Sequence, residues 1–345
     1  MPIRAPRRIA EAVETWFAAH QRPLPWRRGY DPYHVWVSEV MLQQTRMEVV
    51  LRYFEPFLDR FPDVASLAKA SDTRVLASWS GLGYYRRARM LRDGARAVVR
   101  NFRGVVPREV GELAEIDGVG RYTAGAIASI AYGNRVPIVD GNIARILSRL
   151  AGIDEQLGSP ALMRAAWDES TRLVEACSSP RDFNQGLMEL GALVCKPRSP
   201  DCPSCPLHRH CFAYRNKRTE SLPRKKIKVV TRDMNIDLYI VSDRSGRILM
   251  RRESGALMNA MMHLPHGDTS LLTGTPLRVA RAHLLASFRH TITTRRIRFS
   301  VYSAELHSTL RDNGEYEWID PANLSNVPHP SYVAKALQSR TCSGG

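Results

Sequence analysis

Hydrophobic positions change their spacing along the chain, and the change divides it into two regions. Up to about residue 215 they recur every three or four residues, which is typical of helices with one buried face. Beyond residue 232 they alternate with polar residues, first at Ile236, Leu238 and Ile240. The pattern therefore predicts a mainly α N-terminal region followed by an α+β C-terminal region.

Each stretch of regular spacing predicts one element. Helices are predicted over residues 9–20, 47–61, 67–79, 88–99, 162–177 and 184–194. In the C-terminal region, the strand around Leu238 and a second strand over residues 248–252 flank a turn at residues 243–246, which predicts a β-hairpin. A further strand is predicted over residues 297–301, and a closing helix over residues 329–340.

Two short helices joined by a glycine turn are predicted between residues 116 and 132. Gly118 and Gly120 leave backbone N–H groups accessible at the start of the second helix, and such an end binds anions such as a DNA phosphate. Asp140 then begins a further helix, over residues 142–150, which Gly152 ends. The simpler alternative is a structural helical hairpin followed by an Asp that caps a helix.

A lone carboxylate stands among apolar residues earlier in the chain. Ser38 is predicted to cap a helix, which places Glu39 in its first turn beside Val37, Val40 and Met41. A Glu at a helix start commonly complements the helix dipole, so a structural role is the default interpretation.

The charge of the chain indicates a polyanionic partner. The 345 residues include 50 Lys and Arg against 34 Asp and Glu, and the net charge of +16 exceeds what solubility requires. Near residue 84, two tyrosines lie beside several arginines, an arrangement that suits stacking on bases and neutralising phosphates. The alternative is that these tyrosines belong to the core and the arginines to a solvated face.

Four cysteines indicate a metal centre. Cys195, Cys202, Cys205 and Cys211 lie within one short basic loop, where four thiolates can surround a single centre. Their spacing leaves zinc and an iron–sulfur cluster open and disfavours disulfides. No apolar stretch is long enough to span a membrane and no secretory signal is recognised, so we expect a cytoplasmic, nucleoid-associated protein. Cys177 and Cys342 are interpreted as ordinary thiols.

Motifs of defined order run through residues 10–215. They are Leu24-Pro-Trp, Ser38-Glu-Val-Met-Leu-Gln-Gln-Thr, Gly81-Leu-Gly-Tyr-Tyr, Gly118-Val-Gly-Arg-Tyr-Thr-Ala-Gly, Val139-Asp-Gly-Asn and the four cysteines. Together they resemble the MutY adenine DNA glycosylases of the helix-hairpin-helix superfamily. The resemblance implies a helical glycosylase domain over residues 1–220, a basic linker over residues 221–232 and a Nudix-like lesion-recognition domain over residues 233–345. The helical domain would comprise a six-helix lobe (residues 29–135) and an iron–sulfur lobe (residues 1–28 and 136–220) with a [4Fe–4S] cluster.

The resemblance also implies roles for the cavity residues. Glu39 resembles the general acid that protonates adenine N7, and Asp140 the carboxylate that stabilises the oxocarbenium-like sugar. Asn142 would support that site. Tyr122 stands where lyase relatives carry a Lys that forms a Schiff base with the sugar, so a monofunctional glycosylase is expected.

Contacts with a mispaired or damaged DNA duplex are implied for a second group of residues. Gln44 and Tyr84 match the wedge residues that fill the base stack, and Gln185 would contact the base edge. Backbone N–H groups near Gly118 and Gly120 would hold a phosphate, and Arg27 is placed among the residues that contact DNA.

The C-terminal resemblance is weaker, and it contains one departure from the family. It rests on Arg251-Arg, the Leu264-Pro turn and Phe288-Arg-His-Thr, and the acidic metal-binding Nudix helix is absent, so nucleotide hydrolysis is not expected. Where the family typically has Phe-Ser-His against 8-oxoguanine, this chain has Ile292, Thr293 and Thr294, followed by Arg295.

Three functions remain open from the sequence. The first is a monomeric glycosylase that removes adenine opposite 8-oxoguanine or guanine. The second uses the same scaffold on another pair, such as thymine or uracil opposite guanine. The third is a DNA-binding protein without catalysis, against which the intact Glu39 and Asp140 argue.

Overall fold

The computed structural model describes residues 3–225, 230–254, 260–267, 279–306 and 315–339. It divides into two compact units. Unit 1 consists of Met1–Met47, Asp63–Ala65 and Asp93–Ile227, and unit 2 of Glu48–Pro62, Ser66–Arg92 and Lys228–Gly345. The predicted domain boundaries at residues 220 and 233 stay predictions. Cys342 and part of the predicted linker lie outside the described residues.

The chain through residue 215 is helical, as the spacing predicts. Its helices are α1 (Pro6–His20), α2 (Pro32–Leu42), α3 (Met47–Arg60), α4 (Val64–Lys69), α5 (Asp72–Ser78), α6 (Arg86–Phe102), α7 (Val110–Ala114), α8 (Arg121–Ala126), α9 (Gly141–Ala151), α10 (Pro160–Ala176), α11 (Pro180–Leu193) and α12 (Phe212–Arg215). The single helix predicted over residues 67–79 is wrong. Ser71 caps a new helix there, because its side chain accepts a hydrogen bond from the Arg74 backbone N–H at 3.2 Å.

Helix α2 begins earlier than predicted. Asp31 caps it by accepting a hydrogen bond from the His34 backbone N–H at 3.0 Å, and Pro32 takes the first helical position. Ser38 therefore lies within the helix, where its hydroxyl donates to the Val35 carbonyl at 2.8 Å. The predictions that Ser38 caps the helix and that Glu39 lies in its first turn are wrong.

A helical hairpin is present, as predicted, and its second helix is α8, but its first helix, α7, ends at Ala114 and so lies before the predicted range of residues 116–132. Gly118, in the connecting turn, has φ +84°, which favours glycine. One π turn (Ile127–Ala131) continues α8 to its end near Gly133. A Cβ added at Gly125 would lie 2.7 Å from the Pro137 carbonyl oxygen, so this glycine lets α8 pack closely against the segment that leads to Asp140.

The described residues of unit 2 form two three-stranded sheets. The first has the order β1 (Arg232–Ile240), β5 (Arg295–Leu306), β4 (Val279–Ile292), and the second the order β3 (Met262–His263), β2 (Ile248–Arg252), β6 (Tyr316–Ile319). Strand β5 pairs with β1 in parallel and with β4 antiparallel. The closing helix α13 (Ser331–Gln338) packs Tyr332 and Val333 into the core of this region.

The α+β class of the C-terminal region is confirmed, but the predicted hairpin is present only next to its turn, where Ser242 and Ile248 form one antiparallel bridge; the pairing of β1 with β2 is wrong. The turn forms locally, since the Asp243 N–H donates to the Arg247 carbonyl at 3.0 Å, yet the two strands belong to different sheets. Among the described residues, no helix has the length and apolar character needed to cross a membrane.

Candidate active site

Unit 1 contains a cavity of about 880 Å³. The end of α2 and the loop after it, the turn before α8, the start of α9 and one face of α11 form its wall. This cavity brings together residues that are far apart in the sequence. Those predicted as site residues are Arg27, Glu39, Gln44, Gly118, Gly120, Tyr122, Asp140 and Asn142.

Glu39 is the buried acid of the cavity. Only 4% of the residue is exposed, and burial is the main reason why its pKa rises to about 7. A hydrogen bond with the Tyr122 hydroxyl lowers the pKa, the charge of Asp140 raises it and the Arg27 guanidinium lowers it. Near neutral pH, Glu39 therefore exists in both protonated and ionised forms, as a general acid requires.

Tyr122 is placed to stabilise Glu39 by its first-turn position in α8. Burial raises the pKa of its hydroxyl well above the ordinary value, and the nearby charges of Glu39 and Asp140 raise it further. The hydroxyl therefore stays protonated and donates to the Glu39 carboxylate. A Schiff base requires an amine nucleophile, and the phenol of Tyr122 cannot supply one.

Asp140 caps α9 and also lines the cavity. Its Oδ1 accepts hydrogen bonds from the backbone N–H groups of Asn142 at 3.0 Å and Ile143 at 2.7 Å, and its Oδ2 accepts one from Asn142 Nδ2 at 3.1 Å. Burial raises the pKa of Asp140, whereas these hydrogen bonds and the Arg145 charge lower it. Asp140 can therefore cap α9 and still present its carboxylate to the cavity.

A buried polar network lies on the α11 side of the cavity, and it joins the predicted Arg27 and Gln185 to three residues that the sequence analysis did not single out, namely Glu189, Arg22 and Tyr30. Glu189 accepts from Arg22 Nε at 2.6 Å and from Arg27 Nη2 at 3.2 Å. Arg27 Nε donates to Gln185 Oε1 at 2.9 Å, and Gln185 Nε2 donates to the Tyr30 hydroxyl at 3.3 Å. Glu189 lies one turn after Gln185 on α11, and this spacing could have indicated it.

The other predicted DNA contacts lie in unit 2 and are described by themselves. Tyr84, between α5 and α6, has 49% of its surface exposed and φ +49°. Thr293 and Thr294 form the two-residue turn between β4 and β5, and Arg295 follows as the first residue of β5. Thr293 has φ +53°, an unusual value for a β-branched residue.

The four cysteines line one small cavity in unit 1, together with Arg149. Arg149 Nη1 lies 3.3 Å from Cys195 Sγ, so a guanidinium faces one of the thiols. Burial raises the pKa of Cys205 to about 12, and the charges of the other three cysteines add to the rise, which reflects their proximity. Within the described parts of the chain, no group of three His, Cys, Asp or Glu side chains is arranged to hold a metal ion.

Arg145 joins the cysteine loop to Asp140. Its Nη1 donates to Asn142 Oδ1 at 3.0 Å, its Nε to the Cys195 carbonyl at 2.9 Å and its Nη2 to the Gly191 carbonyl at 2.9 Å. Asn142 in turn donates a hydrogen bond to Asp140. The backbone of Cys195 is therefore connected to the Asp140 carboxylate through the side chains of Arg145 and Asn142.

The chain is similar to curated proteins over most of its length. Residues 37–171 match the family described as HhH-GPD superfamily base excision DNA repair protein. The adenine DNA glycosylase of Buchnera aphidicola (subsp. Schizaphis graminum) is 32% identical over 96% of this chain and 98% of its own length. Human adenine DNA glycosylase is 43% identical over 60% of this chain and 40% of its own length. The Arabidopsis thaliana protein of the same name is 37% identical over 72% of this chain and 44% of its own.

The chain thus spans about two fifths of the length of the human and Arabidopsis relatives it matches. Two solved structures share the helical fold. A thermostable thymine-DNA glycosylase matches with a TM-score of 0.55 and 27% identity, over 61% of this chain and 97% of that one. A non-covalent endonuclease III–DNA complex matches with a TM-score of 0.51 and 21% identity, over 61% and 95%.

Proposed function

The chain belongs to the adenine DNA glycosylase family, and we propose that it removes adenine from mispaired double-stranded DNA by hydrolysing the N-glycosidic bond. One observation carries the proposal. Glu39, with a pKa near 7, and Asp140, a carboxylate fixed at the start of α9, line the same cavity. Excision of a purine requires both a proton donor to the base and a negative charge beside the sugar.

In the proposed reaction, the flipped adenine enters the cavity and receives a proton on N7 from Glu39. The bond between the base and C1′ then breaks, and the Asp140 carboxylate stabilises the positive charge that develops on the sugar. Water then adds to C1′ and gives one proton to the Glu39 carboxylate, so that the products are free adenine and an abasic site and Glu39 is protonated again. Tyr122 holds the Glu39 carboxyl in place, and Asn142 holds that of Asp140.

Base recognition is assigned to the network on α11. We propose that Arg27, which lines the cavity, and Gln185, whose amide is hydrogen-bonded to Arg27 and to the Tyr30 hydroxyl, contact a base edge. Glu189 keeps Arg27 oriented by a charged hydrogen bond. Gln44 and Tyr84 are proposed to fill the base stack, and Gly118 and Gly120 to hold a phosphate. Thr293, Thr294 and Arg295 are proposed to contact the opposing base.

We further propose that the four cysteines hold a [4Fe–4S] cluster. The four thiols line one cavity beside the Arg149 guanidinium, and their residue type and this positive charge fit the donor set and the negative charge of such a centre, although in the described chain no three of them are arranged around one ion. When bound, the cluster would fix the basic loop of residues 195–211 against the protein. The net charge of +16 supports a DNA duplex as the partner of a cytoplasmic monomer.

A second specificity has a specific observation in its favour. The chain is 27% identical to a thymine-DNA glycosylase over the helical fold, and Ile292, Thr293 and Thr294 replace the usual Phe-Ser-His. The same scaffold could therefore release thymine or uracil opposite guanine.

Single-turnover base release tests the proposal. The substrates are duplexes that pair adenine with 8-oxoguanine, guanine or cytosine, and one that pairs thymine with guanine. We expect adenine release opposite 8-oxoguanine and guanine, with no borohydride-trapped adduct, and none from the E39Q variant. Release of thymine instead of adenine would support the second specificity, and release of neither base would contradict both.

A further inference from the structure

The loop of residues 80–85, here called the Tyr84 loop, carries an exposed aromatic ring on a residue whose backbone conformation is uncommon. Tyr84 has φ +49° and lies between Gly83, with φ +71°, and the buried Tyr85. A non-glycine residue stays in this region only where its surroundings hold it there. The structure shows which groups do so.

Two backbone carbonyl oxygens that precede Tyr84 accept hydrogen bonds from side chains. The Tyr53 hydroxyl donates to the Ser80 carbonyl at 2.8 Å, and the Trp79 indole N–H donates to the Gly83 carbonyl at 3.2 Å. The Arg87 guanidinium also donates to the Gly83 carbonyl, at 3.2 Å, and lies 5.5 Å from the Tyr84 ring centre. The backbone that leads into Tyr84 is thus held by side chains of three other residues.

The two ends of the Tyr84 loop are held by one residue from the C-terminal part of unit 2. The His329 backbone N–H donates to Ser80 Oγ at 3.1 Å, and the Tyr85 hydroxyl donates to the His329 carbonyl at 3.0 Å. Both bonds use main-chain atoms of His329, so they depend on the position of the backbone there and not on the imidazole.

Residues 327–330, here called the strap, are themselves fixed to the second sheet of unit 2. Prolines at 328 and 330 restrict the backbone. The Met262 N–H of β3 donates to the Pro328 carbonyl at 2.7 Å, and the Val333 N–H of α13 donates to the Pro330 carbonyl at 3.0 Å. A continuous set of hydrogen bonds therefore runs from β3 through the strap to both sides of Tyr84.

We propose that the C-terminal region positions Tyr84 for insertion into DNA through this strap, with Tyr85 and Ser80 as positioning residues. The inference rests on the proposed function, because it takes Tyr84 as the residue that fills the base stack. An exposed ring already held in place loses little freedom when it inserts, which favours extrusion of the target base. The sheet that carries the strap thus contributes to base flipping.

The Tyr85→Phe and Ser80→Ala variants test the proposal without any substrate. Each removes one bond to His329, and we expect hydrogen exchange of the peptide covering residues 80–85 to rise about fivefold. The Tyr332→Phe variant is the matched control. It removes a buried hydroxyl from the same unit that has no hydrogen-bond partner among the described residues. Unchanged exchange in both test variants would overturn the proposal.

A double-mutant cycle separates positioning from general stability. We expect Tyr85→Phe to slow single-turnover adenine release about fivefold in the otherwise unchanged protein, and to cause no further slowing in a Tyr84→Ala background. Equal slowing in both backgrounds would show a merely structural role and contradict the proposal. If the unchanged protein releases no adenine, the proposed function fails, and the exchange measurement alone decides whether the strap holds the loop.

Discussion

The cavity around Glu39 and the turn at Thr293 differ in how firmly the chain holds their side chains. In the cavity, Asp140 accepts three hydrogen bonds and Glu189 pairs with two arginines. At the turn, the Thr293 hydroxyl donates to the carbonyl of its own neighbour, Ile292, at 2.7 Å, and both threonines are exposed. The backbone there is set by the pairing of Ile292 with Arg295.

The difference indicates that the two regions tolerate change unequally. A substitution in the cavity leaves a buried partner without its hydrogen bond, which is costly. A substitution of Thr293 or Thr294 changes only exposed atoms and leaves the strand pairing intact, whereas Ile292 is partly buried against the core of unit 2. Replacement of the usual Phe-Ser-His by Ile292, Thr293 and Thr294 is therefore compatible with an unaltered cavity, and opposing-base preference can differ while the chemistry stays the same.

The largest expected effect comes from Glu39→Gln. Because the amide cannot deliver the proton, we expect single-turnover adenine release to fall about 1000-fold, within the range found for general acids. Binding of mispaired DNA should remain within about threefold, since the amide keeps the size of the side chain. Glu112→Gln, at an exposed position, is the control. Parallel loss of binding and release would mean that Glu39 has a structural role.

Breaking the link between Asp140 and the cysteine loop should have the next largest effect. Arg145→Met removes the donors to Asn142 and Cys195. We therefore expect the Asn142 side chain to hold Asp140 Oδ2 less firmly and release to slow about tenfold, while the two backbone bonds to Oδ1 remain. Arg172→Met, which removes a half-exposed arginine, is the control. If release is unchanged while the variant is folded by circular dichroism, the cavity does not need this support.

The pH dependence of adenine release should reflect the titration of Glu39 in the cavity. Glu39 must be protonated, so release should fall as the pH rises through its pKa of about 7. The Tyr122 hydroxyl stabilises the ionised form of Glu39, so removing it raises that pKa. We therefore expect the alkaline limb of the profile to move to higher pH in Tyr122→Phe. A move to lower pH would mean that Tyr122 stabilises the protonated acid instead.

The same contrast explains what the sequence could predict. The end of a helix is marked by local residues, so Asp140 as a cap and Gly152 as the terminator were both predicted. The predicted start of α2 is wrong because Ser38 is also a residue that commonly caps helices, whereas Asp31-Pro32 carries the stronger local signal. The cap alone also gives no sign that Asp140 and Glu39 share a cavity, since that depends on how the helices pack.

Strand pairing was less predictable than helix boundaries. Alternation correctly predicted β1 and β5, and the turn at residues 243–246 correctly predicted that β2 follows it. That turn resembles the turn of a hairpin, yet β1 pairs with β5, some sixty residues later. Long-range pairing of this kind depends on the whole core and not on local residues. Glu189 was missed for a related reason: its partners Arg22 and Arg27 are distant in the sequence.

The smallest expected effect tests the turn itself. Thr293 adopts φ +53°, which Asn tolerates better than a β-branched residue, so Thr293→Asn should raise stability by up to about 1 kcal/mol. Thr294→Asn, at the neighbouring position without positive φ, should not raise stability. Thermal unfolding of the whole protein measures the difference, and adenine release opposite guanine should stay within about twofold. A large loss of release in Thr293→Asn would show that the turn supports the chemistry as firmly as the cavity does, and the contrast between the two regions would no longer hold.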